Sequence, residues 1–132
     1  MKIAIATDDR KIVRKDHFGG SRYFVVIEIL NAEVVGREVR DNPQVEGQKR
    51  KKRHEEANAI IHLLEDCALF MGRSFGKGSV DEISSRSIDC ISTDIEEIDD
   101  AICSYLDGRL ERFNYYSPDT KEHLPCAQRS YA

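Results

Sequence analysis

The sequence predicts a mixed α/β fold, in which one five-stranded sheet is flanked by helices in the order β-β-β-α-β-α-β-α. Three observations support this prediction. Apolar runs near the N-terminus are separated by short polar connections, which is typical of an antiparallel meander. Two later apolar runs each follow a segment with helical character, and this alternation indicates a sheet covered by helices. The length of 132 residues, with 40% apolar residues, suits a single hydrophobic core.

The N-terminal third of the chain predicts the three meander strands. An apolar run over residues 3–6 ends at Thr7-Asp8-Asp9, which indicates a buried strand followed by a polar turn. Residues 23–30 are rich in aromatic and β-branched side chains and predict the second strand. Asn31-Ala32 predicts a tight connection to a third strand over residues 33–40.

Two helices and two strands are predicted to follow. Apolar residues at helical spacing indicate the first helix: Ala57, Ile60, Ile61 and Leu64. The continuous apolar run 67–71 predicts a central strand covered on both faces. After the loop 72–78, the capping-box pattern Ser79-x-x-Glu82 predicts the start of the second helix. Residues 88–93 predict the fifth strand.

The last helix is predicted to start near the overlapping capping boxes of residues 93–97 and to stop at Gly108. Its apolar stripe consists of Ile95, Ile98, Ile102 and Leu106. The sequence therefore predicts a domain over residues 1–112. Residues 113–132 contain two prolines and no apolar period, so they are predicted to form a C-terminal tail.

Composition and charge disfavour nucleic-acid-binding, membrane-spanning and secreted proteins. The net charge of −4 does not favour nucleic acid as a partner. No stretch approaches the roughly 20 apolar residues that a membrane span needs, and the N-terminus lacks the pattern of a signal peptide. A cytoplasmic protein without a membrane partner is therefore expected. The cysteines form no C-x-x-C pair, and Cys67, Cys90 and Cys103 lie in or beside apolar runs, where we expect buried thiols.

His17-Phe18-Gly19-Gly20 is the most specific chemical motif in the N-terminal half. An imidazole beside a glycine pair, at the start of a predicted strand, could ligate a metal, and neutral imidazole suits iron or zinc. One histidine holds a metal only weakly, which a carrier that must release its cargo can accept. Alternatively, His17 caps a turn, with its ring bonded to a neighbouring backbone group.

The loop 72–78 is a second candidate site. Backbone N–H groups at a helix N-terminus bind anions, and Arg73 and Lys77 would add positive charge. The loop differs from a P-loop, because its spacing is one residue short and Gly78 follows the lysine where serine or threonine is needed. Alternatively, Gly72 and Gly76 serve only a tight connection between strand and helix.

Four segments together carry a family resemblance: residues 1–9, 17–24, 42–43 and 72–78. They resemble the dinitrogenase iron–molybdenum cofactor family, which includes nitrogenase accessory proteins, over roughly residues 1–110. The resemblance implies a ribonuclease H-like fold. It also implies that the protein binds or carries an iron–sulfur or iron–molybdenum cluster, with His17 as the residue associated with the cofactor.

The chain departs from the family pattern at two places. Some members have a cysteine shortly after the histidine motif, where this chain has Gly20-Ser21-Arg22. Many have a histidine-rich loop after the third strand, where this chain has the basic run 49–53 followed by His54. The basic run could contact phosphates or an acidic partner, or it could be a solvated loop.

We therefore predict a carrier for such a cluster, without catalysis, that exchanges it with a donor or acceptor protein. The predicted metal ligand is His17, and the predicted cofactor-binding residues are His17, Gly19, Gly72, Gly76, Lys77 and Gly78. The first alternative is a protein-interaction or regulatory module that binds no metal. His123 and Cys126 have a spacing that could suit a metal if the tail folds back toward His17, but accidental proximity is the simpler interpretation.

A metal-dependent nuclease or phosphodiesterase is a third alternative. Such an enzyme needs several carboxylates that converge on two metal ions. Asp8 at the end of the first strand and Glu55 or Glu56 on the first helix are the candidates. The fourth strand ends at Gly72 without a carboxylate, which weakens this alternative.

Overall fold

The structure is a computed structural model that describes residues 1–43 and 53–129. Its sheet has seven strands: β1 (Lys2–Thr7), β2 (Tyr23–Leu30), β3 (Glu33–Asp41), β4 (Leu69–Gly72), β5 (Asp89–Thr93), β6 (Phe113–Ser117) and β7 (Glu122–Pro125). The α-helices of the described residues are α1 (Arg53–Leu63), α2 (Lys77–Ser85) and α3 (Ile98–Leu106). Phe18–Gly20 and Cys126–Gln128 form short 3-10 turns.

The strand order is β3-β2-β1-β4-β5-β6-β7. The central strands β1, β4 and β5 are parallel, with Ile5 opposite Met71 and Met71 opposite Ile91. The strands on either side pair antiparallel. The first five strands thus confirm the predicted mixed, ribonuclease H-like sheet. Because β1, β4 and β5 run in the same direction, their carboxyl ends meet at one edge of the sheet, where ligands commonly bind in open α/β folds.

The prediction of five strands was wrong, because the segment predicted as a tail adds β6 and β7 to the sheet. β6 pairs with β5 and buries Phe113 and Tyr116, which are 1% and 6% exposed. Aromatic side chains favour strands, and three of the five β6 residues are aromatic. The prolines do not prevent pairing, since Pro118 lies in the turn between the strands and Pro125 ends β7.

The sheet separates two hydrophobic cores. Along β1, Ile3 and Ile5 face the side covered by α3, while Ala4 and Ala6 face the side covered by α1 and α2. The small alanine side chains leave room for a cluster of aromatic rings on the second side. This cluster consists of Phe18, Phe24, Phe70 and Phe75.

Helix α2 starts earlier, and helix α3 starts later, than the capping patterns predict. α2 begins at Lys77 with Gly76 as its N-cap, and α3 begins at Ile98 with Glu97 as its N-cap. Thr93 does not cap α3, because its Oγ1 donates to the carbonyl of Arg112 and accepts from the amide of Ile95. The hydrogen bond of Thr93 to Arg112 thus overrides the local capping pattern at the start of α3.

An ion-pair network holds β3 against the chain that follows α1. Arg40 binds both carboxylate oxygens of Asp66 at 2.7 Å and donates to the carbonyl of Leu63 at 3.0 Å. These hydrogen bonds hold the pKa of the Asp66 carboxyl well below its usual range. The end of β3, which leads to the candidate site, is therefore fixed in position.

The cysteines differ in their environments. Cys67 and Cys90 are buried, as predicted, whereas Cys103 on α3 is exposed, contrary to the prediction. Cys126, which was predicted to lie in the tail, is 1% exposed beneath β6 and β7. None of the helices in residues 1–43 and 53–129 is long and apolar enough to span a membrane.

Candidate functional site

His17 lies beside the carboxyl end of β4. The amide of Phe18 donates to the carbonyl of Ser74 at 2.9 Å, and Nδ1 of His17 lies 3.1 Å from Oγ of Ser74. His17 occupies the N-cap position of the 3-10 turn, but its ring does not cap that turn, contrary to the capping alternative. The ring is exposed, and no residue in the described ranges bonds its Nε2. A hydrogen bond to one ring nitrogen orients the other, as in histidines that ligate metals.

Phe18 anchors this turn in the core. Its side chain is 1% exposed and stacks on Phe70 and Phe75 with ring centroids 5.0 and 5.1 Å apart. Phe24 adds a third ring at 5.0 Å. The residue after His17 is therefore among the most deeply buried in the protein, while His17 itself faces solvent.

Two of the predicted site glycines allow close packing around this anchor. A Cβ atom added to Gly72 would lie 3.2 Å from Cδ2 of Phe18, and one added to Gly19 would lie 3.1 Å from Cδ1 of Ile60. Both distances are shorter than ordinary van der Waals contacts. A side chain at either position would therefore require its neighbour to shift: the buried ring of Phe18 at Gly72, and the end of the Ile60 side chain at Gly19.

The main chain after His17 is held from two sides. Arg14 donates from Nε to the carbonyl of His17 at 3.0 Å and from Nη1 to both oxygens of Asp8 at 3.0 and 2.8 Å. The amide of Arg22 also donates to Asp8 at 3.0 Å. Asn42, which is 2% exposed, donates from Nδ2 to the carbonyls of Gly19 and Ser21 at 3.0 and 2.8 Å.

Ser21 carries an unusual buried group. It is 0% exposed, and its Oγ has no hydrogen-bond partner among the described residues. Burial of a polar group without a partner disfavours folding. The buried hydroxyl of Ser21 therefore does not add to the stability of the fold.

The N-terminus of α2 adjoins His17 through Ser74 and Phe75. Its N-cap, Gly76, supplies no side chain to bond the first amides of the helix, and no acidic residue lies in the first turn. Lys77 and Gly78 of that turn are exposed. In α3, by contrast, two aspartates lie in the first turn. Because a helix N-terminus is electropositive, the α2 start favours an external anion.

Basic side chains add to this positive potential. Arg22, Arg73 and Lys77 are exposed and form no ion pair within residues 1–43 and 53–129. The side chains of the predicted basic run 49–53 and of residues 54–56 lie outside the described residues. The exposed basic side chains form the cationic surface of the site, and the exposed carboxylate of Asp16, which accepts from the amide of His17 at 2.7 Å, reduces the positive potential beside the imidazole.

The described residues contain no group of three or more His, Cys, Asp or Glu side chains that could hold a metal ion. Burial raises the pKa of both Cys67 and Cys90 to about 12, so these thiols stay protonated. His123 lies on β7, which is separated from β4 by β5 and β6, and its ring packs on Tyr116. The structure therefore does not bring His123 and Cys126 to His17.

Sequence reasoning missed Ser74 and Asn42 as site residues. In the sequence, Asn42-Pro43 contributes only to the family resemblance, although a buried asparagine needs hydrogen-bond partners. Ser74 gave no signal, because its contact with His17 joins segments 57 residues apart. Asn42 could have been suspected from its chemistry, whereas Ser74 required the fold.

The sequence model of the family described as "Dinitrogenase iron-molybdenum cofactor" matches residues 1–108. The chain belongs to this family. The match includes β1–β5, all three described helices and all the predicted cofactor-binding residues, and it ends before β6. The family resemblance in the sequence is thereby confirmed.

Known proteins similar to this family member have the same fold. An uncharacterised protein of Methanocaldococcus jannaschii is 25% identical over 115 residues, which cover 86% of this chain and 92% of that protein. The crystal structure of a candidate dinitrogenase from the same organism is similar, with 19% identity, a TM-score of 0.66 and coverage of 89% and 95%. The apo form of the orange protein from Desulfovibrio gigas has 18% identity, a TM-score of 0.65 and coverage of 82% and 88%.

Proposed function

We propose that this protein is a non-catalytic carrier that binds an anionic iron–sulfur or iron–molybdenum cluster as exchangeable cargo. The observation that carries the proposal is the exposed imidazole of His17, oriented by Ser74 beside the uncapped N-terminus of α2. Family membership supports it, since the family is named for a molybdenum-containing cofactor. The similar orange protein was solved in an apo form, which supports a ligand-binding role for this fold.

The described residues offer one metal ligand together with several groups that can neutralise an anionic cluster. One imidazole nitrogen can ligate iron or molybdenum, while amides of the α2 start and the side chains of Arg73 and Lys77 can neutralise negative charge. A cluster that brings its own sulfide ligands needs no protein thiolates. With a single protein ligand the cluster would be held loosely, which suits transfer to or from a donor or acceptor protein.

The nuclease alternative is less well supported. Both oxygens of the Asp8 carboxylate accept hydrogen bonds from Arg14, and the amide of Arg22 adds a third. A carboxylate neutralised in this way is a poor ligand for the divalent ions of a two-metal site. An interaction module without metal would use the same cationic surface, and the two experiments below separate it from the carrier.

The first experiment removes the imidazole. After anaerobic reconstitution with iron and sulfide, the wild type is expected to show the visible absorption of a bound cluster, and His17→Ala is expected to fall to nonspecific levels. His62→Ala is the matched control, because His62 is an exposed histidine on α1. Equal uptake by wild type and His17→Ala would refute the role of His17. Lack of specific uptake by the wild type would favour the interaction module.

The second experiment reverses the charge at the start of α2. Lys77→Glu is expected to weaken binding of tetrathiomolybdate, an anionic metal sulfide, about tenfold, which corresponds to about 1.4 kcal/mol. The same change is expected to stabilise the free protein by about 0.3–1 kcal/mol, because an acidic side chain in the first turn complements the helix dipole. Binding is measured by titration and stability by urea unfolding. Unchanged binding would remove the α2 start from the proposed site.

A further inference from the structure

We propose that Asn42 is a positioning residue, which holds the main chain after His17 so that the imidazole keeps its place beside Ser74. This inference rests on the proposed function for its binding consequence, but its structural part can be tested without any cluster. The argument starts from the hydrogen bonds of one buried carboxamide at the end of β3.

Asn42 joins the end of β3 to three carbonyls of the His17 segment. Nδ2 donates to Gly19 and Ser21 at 3.0 and 2.8 Å, and the main-chain amide donates to Arg22 at 2.9 Å. The side chain is 2% exposed. Buried hydrogen bonds of this kind are costly to break, because the carbonyls that lose them remain away from water.

The segment needs such a restraint because its own bonds are weak. Within the turn, the amide of Gly20 lies 3.2 Å from the carbonyl of His17, and the amide of Ser21 lies 3.4 Å from that of Phe18. Two successive glycines make the backbone unusually free. Phe18 restrains the start of the turn by its burial, and Arg14 and Asp8 bond the carbonyl of His17 and the amide of Arg22. Asn42 bonds the carbonyls of Gly19 and Ser21, which lie between those two residues.

The anchor itself is rigid. Arg40, two residues before Asn42, is bound to Asp66 and to the carbonyl of Leu63. Through its hydrogen bonds, Asn42 therefore restrains the turn relative to a strand whose own position is fixed. Without its two donated hydrogen bonds, we expect the turn to move and the contact between Nδ1 of His17 and Ser74 to be populated less.

The test compares Asn42→Ala with wild type by NMR and by cluster binding. In Asn42→Ala, the amides of Phe18, Gly20 and Ser21 are expected to exchange faster, and the ring resonances of His17 to shift or broaden. Affinity for tetrathiomolybdate is expected to fall about tenfold or more, as when partners that orient a ligating histidine are removed. Asn42→Ser, which keeps one hydroxyl donor, is expected to be intermediate.

Thr93→Val is the matched control. Thr93 is also buried and donates to a main-chain carbonyl, that of Arg112, but it lies at the end of β5 and contacts the α3 side. It should lose comparable stability and leave the resonances of His17 unchanged. A change in the His17 resonances of Asn42→Ala that is absent in Thr93→Val is therefore not explained by a general loss of stability.

The outcomes separate the two proposals. If Asn42→Ala leaves amide exchange, His17 resonances and affinity as in wild type, the positioning role is wrong. If wild type binds no cluster, the proposed function fails, while exchange and the His17 resonances still decide the role of Asn42. Should Asn42→Ala not fold, Asn42→Ser replaces it, and wild-type behaviour in that variant would overturn the inference.

Discussion

Phe18→Ala is expected to lower the free energy of unfolding by about 3–5 kcal/mol, the range for removing a large side chain from a packed core. The ring is 1% exposed and lies against three other phenylalanines, so its removal leaves a cavity among rigid groups. The same variant is expected to displace His17, because Phe18 holds the turn in the core. Urea unfolding measures the first effect, and the NMR resonances of His17 measure the second.

Phe113→Ala separates stability from site geometry. Phe113 is also 1% exposed, but it belongs to the core on the α3 side, where its ring packs on Tyr105. We expect a similar loss of stability with His17 undisturbed. Phe18→Leu, which fills part of the volume, should lose less stability than Phe18→Ala. A loss of less than about 1 kcal/mol in the free energy of unfolding of Phe18→Ala would contradict the conclusion that this ring anchors the turn in the core.

Alkaline pH is expected to destabilise the protein steeply. Burial raises the pKa of Cys67 and Cys90 to about 12 and that of Cys126 to about 11, from an ordinary value of 9.0. Above pH 9 the unfolded chain loses these three protons while the native chain keeps them. The unfolded state then binds fewer protons, so stability falls as pH rises.

Each thiol contributes a slope of up to about 1.4 kcal/mol per pH unit, and three together approach about 4 kcal/mol per unit. Below pH 9 both states keep these protons, so the thiols give no slope there. The slope ends near pH 11–12, where the thiols of the folded protein ionise as well. Urea unfolding under reducing conditions from pH 7 to 11 tests it. Cys90→Ala should reduce the slope, because it removes one of the three buried thiols. A stability that is constant up to pH 11 would contradict the expectation.

The elements that could be predicted from the sequence are those with a strong local pattern. β2 has the predicted bounds, because its eight residues are almost uniformly apolar and end at a short turn. The exposed Cys103 shows where local pattern fails: α3 is apolar on one face only, and an apolar neighbourhood in sequence does not determine which face a residue occupies.

The two strands of the C-terminal segment were missed for a related reason. Strands as short as β6 and β7 gain their stability from pairing, β6 with β5 and β7 with β6, and from burial of Phe113 and Tyr116. Tyr116 also donates its hydroxyl hydrogen to the carboxylate of Asp81 on α2. Neither β5 nor Asp81 lies within the C-terminal segment. The prediction of a tail therefore rested on the prolines.

The sequence by itself determined the alternation of strands and helices, the family and the choice of His17 as a candidate ligand, since each of these depends on patterns within short segments of the chain. Only the tertiary structure decided what His17 contacts. Ser74 orients its ring, Phe18 and Asn42 hold the turn around it, and the start of α2 lies beside it. These groups come from three separate segments, and the parallel order of β1, β4 and β5 brings three strand ends to one edge. A site built from long-range contacts is specified by packing, which no local pattern encodes.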